Sequence, residues 1–276
     1  MEPEYSENIR IEIQPYVNQG ETHISDPVPS IIFIVPYRDR EQQQLFFSHH
    51  MKYILSDLPS DSYAIYYAHQ KDNRDFNRGA MRNIGFLAIK SKYPLHYKNI
   101  TFVFNDVDTM PYTKNFLNYE TKQGVVKHPY GYDFTLGGIV SIKGSDFEKT
   151  NGYPNYWAWG YEDNALQNRV LANNITIDRS VFYPANDKNI MRLHDDNNRI
   201  INQAEYKRHM NHQNADGLSV ITNIKYTICP DTGFIDITDF TIPTPNLPSL
   251  NRSYKVSNDK NVPFIGKRYA TMKMAI

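Results

Sequence analysis

The chain is 276 residues long and sets 30 basic against 30 acidic residues, so its formal net charge is zero. That balance excludes the usual electrostatic route to non-specific nucleic-acid binding, which needs a surplus of Lys and Arg. The single cysteine, Cys229, excludes an intrachain disulfide, and no apolar run is long enough to cross a bilayer. The N-terminus, MEPEYSENIR, is acidic and polar and unlike a signal peptide. These features predict a soluble, cytoplasmic protein with no membrane span and no nucleic-acid partner.

In chain order, residues 1–29 are polar and end in DPVPS, an extension leading into the fold. Ile31–Val35 (IIFIV) is wholly apolar and β-branched, the pattern of a strand buried on both faces, and stops at Pro36. Glu41–Leu55 has helix-compatible spacing, and Tyr63–Ala68 (YAIYYA) reads as a second strand. RGAMRNIGFLAIKS places Met81, Ile84 and Ala88 on one helical face. Thr101–Phe104 and Leu136–Ile142 read as two further buried strands. Strands alternating with helices predict an α/β fold with a mainly parallel sheet over residues 30–230. Ligands in such sheets bind at the carboxyl ends of strands, which points to the polar clusters after Val35 and Phe104. Residues 231–276 hold FIDITDFTI, one or two strands packed on the same domain, and a Pro-rich tail to which no chemistry is assigned.

Several clusters carry candidate chemistry. FVFNDVDTMP puts Asp106 and Asp108 two residues apart, on one side of an extended chain. One such acid often just caps a turn, whereas two together repel unless a cation or donor-rich ligand lies between them. IMRLHDD places Met191 three residues before His194; the plain reading is a core methionine and a surface histidine. Should both share an ion with Asp108, the mixed donor set suits Mn2+ better than Ca2+. PYRDR supplies Arg38 and Arg40, and FNRGAMRN supplies Phe76 and Arg78, either ordinary surface residues or groups for phosphate and ribose. Both tryptophans of the chain, Trp157 and Trp159, sit in YWAWGYEDNALQNR just before Glu162 and Asp163. They are either core residues ahead of a helix whose first turn favours acids, or a floor and a base for a sugar.

Taken in order, PYRDR, FNRGAMRNIGF, FVFNDVD, LGGIVSIKGSDFEKTNGYPNYWAWGYEDNALQNRV, MRLH and DGLSVIT resemble the β-1,4-galactosyltransferase family over roughly residues 31–228. The resemblance implies a GT-A nucleotide-sugar fold, a UDP-sugar donor, Mn2+, and a saccharide or glycoconjugate acceptor. It implies donor contacts at Pro36, Tyr37, Arg38, Arg40, Phe76, Arg78, Asp106, Val107, Lys127, Thr135 and Gly138, and a metal site at Asp108, Met191 and His194. It implies acceptor contacts at Trp159, Tyr161, Glu162, Asp163 and Asn164, with Asp163 as catalytic base of an inverting transfer that forms a β-1,4 linkage. The polar stretch after His194 matches the family's mobile lid.

The family usually reads WGWGGEDDD where this chain has WAWGYEDNA, so Tyr161 replaces a glycine and Asn164 an acid. Thr135 stands where vertebrate members carry a tyrosine near the donor's C2 group, which implies room for UDP-GalNAc beside UDP-Gal. The missing anchor and disulfides imply a cytoplasmic enzyme of viral or microbial source, or a trimmed form of a longer protein. Competing readings are a chondroitin-polymerising or polypeptide GalNAc-transferase type of enzyme, an inactive glycan- or nucleotide-binding module, and a metal-dependent hydrolase. The last does not account for the tryptophan block.

Overall fold

Strand β1 (Ile31–Tyr37) is buried along its whole length, as an apolar, β-branched run without a polar face requires. It runs two residues further than the sequence predicts, because Pro36 and Tyr37 stay in register with Ala68 and His69. Proline removes a donor from a strand without leaving extended geometry. In this computed structural model, which describes residues 27–193, 198–202, 204–205, 207–208 and 216–255, the chain then alternates as expected through α1 (Glu41–Ile54), β2 (Tyr63–Gln70), α2 (Arg78–Lys92) and β3 (Thr101–Asn105). Asn77 caps α2 by accepting the Ala80 amide at 2.9 Å. Met81, Ile84 and Ala88 are fully buried. A Cβ on Gly85 would meet Ile34 at 2.6 Å, so this glycine lets α2 lie close against β1.

Beyond β3 the pattern changes. β4 (Thr109–Pro111) leaves the sheet, and β5 (Val125–Gly131) and β6 (Ile139–Lys143) return to it. β6 starts later than the predicted Leu136, because Gly138 turns the chain with φ +80. It pairs antiparallel with both β3 and β5. After α3 (Gly144–Lys149) and α4 (Glu162–Ala172) come β7 (Thr176–Asp178) and β8 (Tyr183–Pro184), both parallel to β5. β9 (Ile190–Arg192) pairs with β4, and β10 (Asn198–Ile201) pairs with β13 (Arg252–Lys255). FIDITDFTI forms a single strand, β12 (Phe234–Thr241), hairpinned with β11 (Thr222–Cys229) and parallel to β2.

The main sheet runs β11-β12-β2-β1-β3-β6-β5-β7, with β8 joined to β5. It is mostly parallel, as expected. One face packs on α2 and an aromatic group of Phe86, Phe102, Phe104, Phe147 and Tyr153; the other packs on α1 through Phe33, Val35, Phe47 and Met51. Because β6 runs against β3, the segment entering it meets the carboxyl ends of β1 and β3. Three loops therefore converge at one edge of the sheet.

Candidate active site

At that edge lies a cleft of about 510 Å³, within the range of roughly 300–1,000 Å³ typical of small-molecule sites. Pro36, Arg38 and Arg40 line it from the end of β1, Phe76 and Arg78 from the start of α2, and Asp106, Val107 and Asp108 from the end of β3. Thr135 and Gly138 close it ahead of β6, and Trp159, Glu162 and Asp163 form the side nearest α4. Arg38 lies over the Phe76 ring at 5.4 Å and donates to the Arg74 carbonyl at 2.6 Å, so the first basic loop and the start of α2 are one unit.

Several expected residues lie elsewhere. Tyr37 alternates away from Pro36 and Arg38, and its ring packs edge-on against His69 at 5.0 Å and Phe234 at 5.3 Å. Lys127 turns from the cleft toward the Glu120 carbonyl at 3.5 Å. Tyr161 is outside the lining and takes a left-handed backbone, φ 68, just before α4. Asn164 reaches back to the Phe134 carbonyl at 3.4 Å and so braces a neighbouring loop. Met191 packs on the apolar layer under α1, because it is Arg192, its neighbour in β9, that faces the cleft. His194 and most of the expected lid lie outside the described residues.

The two tryptophans take different places. Trp157 is 2% exposed, stacks on Phe240 at 5.6 Å and donates its indole N–H to the Thr244 carbonyl at 2.8 Å. It is a core residue whose edge touches the cleft. Trp159 is half-buried, and its backbone amide donates to the Ile200 carbonyl at 2.8 Å, which holds it on the cleft's rim.

The floor is an arginine–carboxylate network. Arg78 forks onto Asp106 at 2.7 and 2.8 Å, and its other terminal nitrogen reaches Glu162 at 2.7 Å and Asp163 at 3.1 Å. Arg82, one helical turn on, bonds Asp163 at 2.7 Å and Asp106 at 2.9 Å. Burial works against charge on both guanidinium groups, but the acids around them keep both more firmly protonated than a free arginine. Burial likewise opposes charge on Asp106, and Arg78 and then Arg82 outweigh it, holding the carboxyl below its usual range. Glu162 also accepts the Gly160 amide at 3.0 Å, which fixes the tight entry to α4.

Asp108 behaves differently. Burial, then the neighbouring Asp106 charge, push its carboxyl above the usual range. Its hydrogen bond is to the Thr109 hydroxyl at 2.8 Å, and no ion pair engages it among the described residues. An acid in the cleft wall without a paired cation fits one ligand of a divalent metal. Among the described residues, no group of three or more His, Cys, Asp or Glu is placed to hold a metal. The β4–β9 pairing and the bond from the Leu193 amide to the Asp108 carbonyl, 2.8 Å, bring the segment ending at residue 193 alongside Asp108.

Sequence reasoning passed over Arg82, Arg192 and Arg199. The first had a signal, since it lies four residues after Arg78 on the same face of α2. The other two reach the cleft through β9 and β10, short strands whose partners are distant in sequence. It also passed over the support behind the wall. His128, fully buried, contacts the Gly137 carbonyl at 2.8 Å through Nε2 and accepts from Arg179 at 2.9 Å through Nδ1. Arg179 also donates to the Thr135 carbonyl at 3.1 Å and to Gln167 at 2.8 Å.

Residues 7–120 match the N-terminal region of glycosyl transferase group 7, and residues 121–194 match the N-terminal domain of galactosyltransferase. The chain is 31% identical to β-1,4-galactosyltransferase 4 of Mus musculus over 179 residues, 60% of this chain and 50% of that protein. It is 28% identical to β-1,4-galactosyltransferase 7 of Drosophila melanogaster over 218 residues, 73% of this chain and 64% of that one. It thus spans about half the length of the first of these relatives. A solved structure of a variant of the Drosophila enzyme, in complex with manganese, UDP-Gal and xylobiose, superposes with a TM-score of 0.55 at 22% identity, covering 76% of this chain and 94% of that one. At that identity the likeness speaks to the fold, which is of the GT-A type.

Proposed function

The chain belongs to the β-1,4-galactosyltransferase family, and on that footing we propose that it transfers galactose from UDP-galactose to a saccharide hydroxyl with inversion, forming a β-1,4 linkage. The observation that carries the reading is the placement of Asp163, in a cleft that also presents Asp106, Asp108 and a basic loop from β1. In the proposed reaction the acceptor hydroxyl lies beside Asp163 and packs its sugar on Trp159, with Glu162 holding the same segment. Asp163 takes the hydroxyl proton as the oxygen attacks the anomeric carbon. The bond from that carbon to the diphosphate oxygen breaks with its electron pair left on UDP. Arg38 and Arg40 stand where they meet the diphosphate charge, and Asp106 and Arg78 face the nucleotide-sugar. A divalent cation bound at Asp108, with His194 as an expected further ligand, would neutralise charge on the departing diphosphate.

Support for the donor and metal comes from the Drosophila relative, solved with manganese and UDP-Gal. The relatives give no support to UDP-GalNAc, so that expectation from Thr135 is not carried into the proposal.

The test is a transfer reaction with UDP-galactose, Mn2+ and a panel of saccharide acceptors, read by mass spectrometry. A hexose should appear on an acceptor only when metal and donor are both present. UDP binding with neither transfer nor donor hydrolysis would favour the inactive binding module instead.

A further inference from the structure

We infer that Arg82 is a positioning residue that holds the proposed base, Asp163, in register with Asp106 on the nucleotide side. The inference rests on the galactosyl-transfer reading and goes beyond it, since Arg82 lines no part of the cleft. Its side chain is 1% exposed and sits behind the floor. One terminal nitrogen donates to Asp163 at 2.7 Å and the other to Asp106 at 2.9 Å, so one rigid fork spans two acids from different elements of the fold. The Tyr153 ring, 4.5 Å from the guanidinium carbon, backs the fork.

Stability alone does not account for this residue. Its Nε is buried without a partner, and a buried ion pair is often no more stabilising than apolar side chains of the same volume. Its geometry does account for it. Without Arg82, Arg78 would be the one guanidinium paired to Asp106, Glu162 and Asp163 among the described residues. Arg78 meets Asp163 only at 3.1 and 3.3 Å, whereas its shortest contacts to Asp106 and to Glu162 are each 2.7 Å. The short bond from Arg82 is therefore the one that fixes the direction of the Asp163 carboxylate, and a proton acceptor misplaced by a fraction of an ångström loses rate rather than binding.

The experiment compares the wild type, Arg82→Lys, Arg82→Met, Asp163→Asn and the Arg82→Met/Asp163→Asn double variant, recording kcat, both KM values, UDP affinity by calorimetry and Tm. Arg82→Met should lower kcat by roughly 10–100-fold with UDP affinity and acceptor KM within about threefold of wild type. Arg82→Lys, which keeps the charge but loses the fork, should lose nearly as much. In the Asp163→Asn background the added Arg82→Met change should alter the residual rate less than about twofold, because the group it positions is already gone. An unchanged kcat in Arg82→Met, full activity in Arg82→Lys, or an additive loss in the double variant would overturn the assignment while leaving galactosyl transfer standing. Should Arg82→Met fail to fold, the same cycle with Arg82→Lys decides. Absence of transfer by the wild type would instead overturn the transferase reading, and this assignment with it.

Discussion

The wall ahead of β6 and the rim formed by β10 and β13 hold their backbone in different ways. In the wall, the carbonyls of Phe134, Thr135 and Gly137 accept hydrogen bonds from Gln167 at 3.1 Å, Arg179 at 3.1 Å and His128 at 2.8 Å. The rim is a two-stranded pair. Among the described residues, its links to the rest include the Trp159–Ile200 backbone bond at 2.8 Å and the Asn251 side chain, which donates to Asp75 at 2.7 Å. Both β10 and β13 lie beyond residue 194, where the family match ends. The difference teaches where precision is invested. The side proposed to meet the donor is braced from behind by buried side chains, whereas among the described residues the side carrying Trp159 is held by the buried Ile201 and by polar contacts near the surface.

Acid should break the wall first. Burial, then the Arg179 charge among smaller influences, depresses His128 to about 4, against about 6.5 in the unfolded chain. The unfolded chain therefore takes up the proton first, and stability is lost as pH falls from about 6.5 to about 4, with no contribution from this group above that window. The full loss is about 3 kcal/mol by linkage, readable from urea midpoints across the window, and a His128→Gln variant should lack that limb. Next, Arg179→Ala leaves His128, Gln167 and the Thr135 carbonyl without their donor. It should cost about 2 kcal/mol by chemical denaturation and raise the donor KM more than the acceptor KM. The smallest effect belongs to the rim: Asn251→Ala should cost about 1 kcal/mol or less and raise the acceptor KM while leaving the donor KM unchanged. If Arg179→Ala and Asn251→Ala moved the same KM, the division of the cleft would be wrong.

The parts legible in sequence were those with local signals. β1, β3 and α2 follow from apolar runs and helical spacing, and the Asp106/Asp108 and Glu162/Asp163 pairs follow from their places beside such elements. Strand direction is not written in a fully buried run, so the antiparallel β6 was invisible. Alternation was legible and still missed at Tyr37, whose neighbours Pro36 and Arg38 face the cleft while it faces the core. Arg82 was hidden in a helix read for its apolar face, although its spacing from Arg78 marked it. Arg192 and Arg199 depend on pairing between segments far apart in the chain, which no local pattern encodes. The two tryptophans, read together, part in the structure: Trp157 is a core residue and Trp159 stands on the cleft's rim.

The most direct test sets transfer against binding in Asp163→Asn. Galactose transfer from UDP-galactose should fall by roughly 10²–10⁴-fold, while the calorimetric affinity for UDP with Mn2+ stays within about threefold of the wild type. Transfer at the wild-type rate with that one carboxylate neutralised would contradict the account.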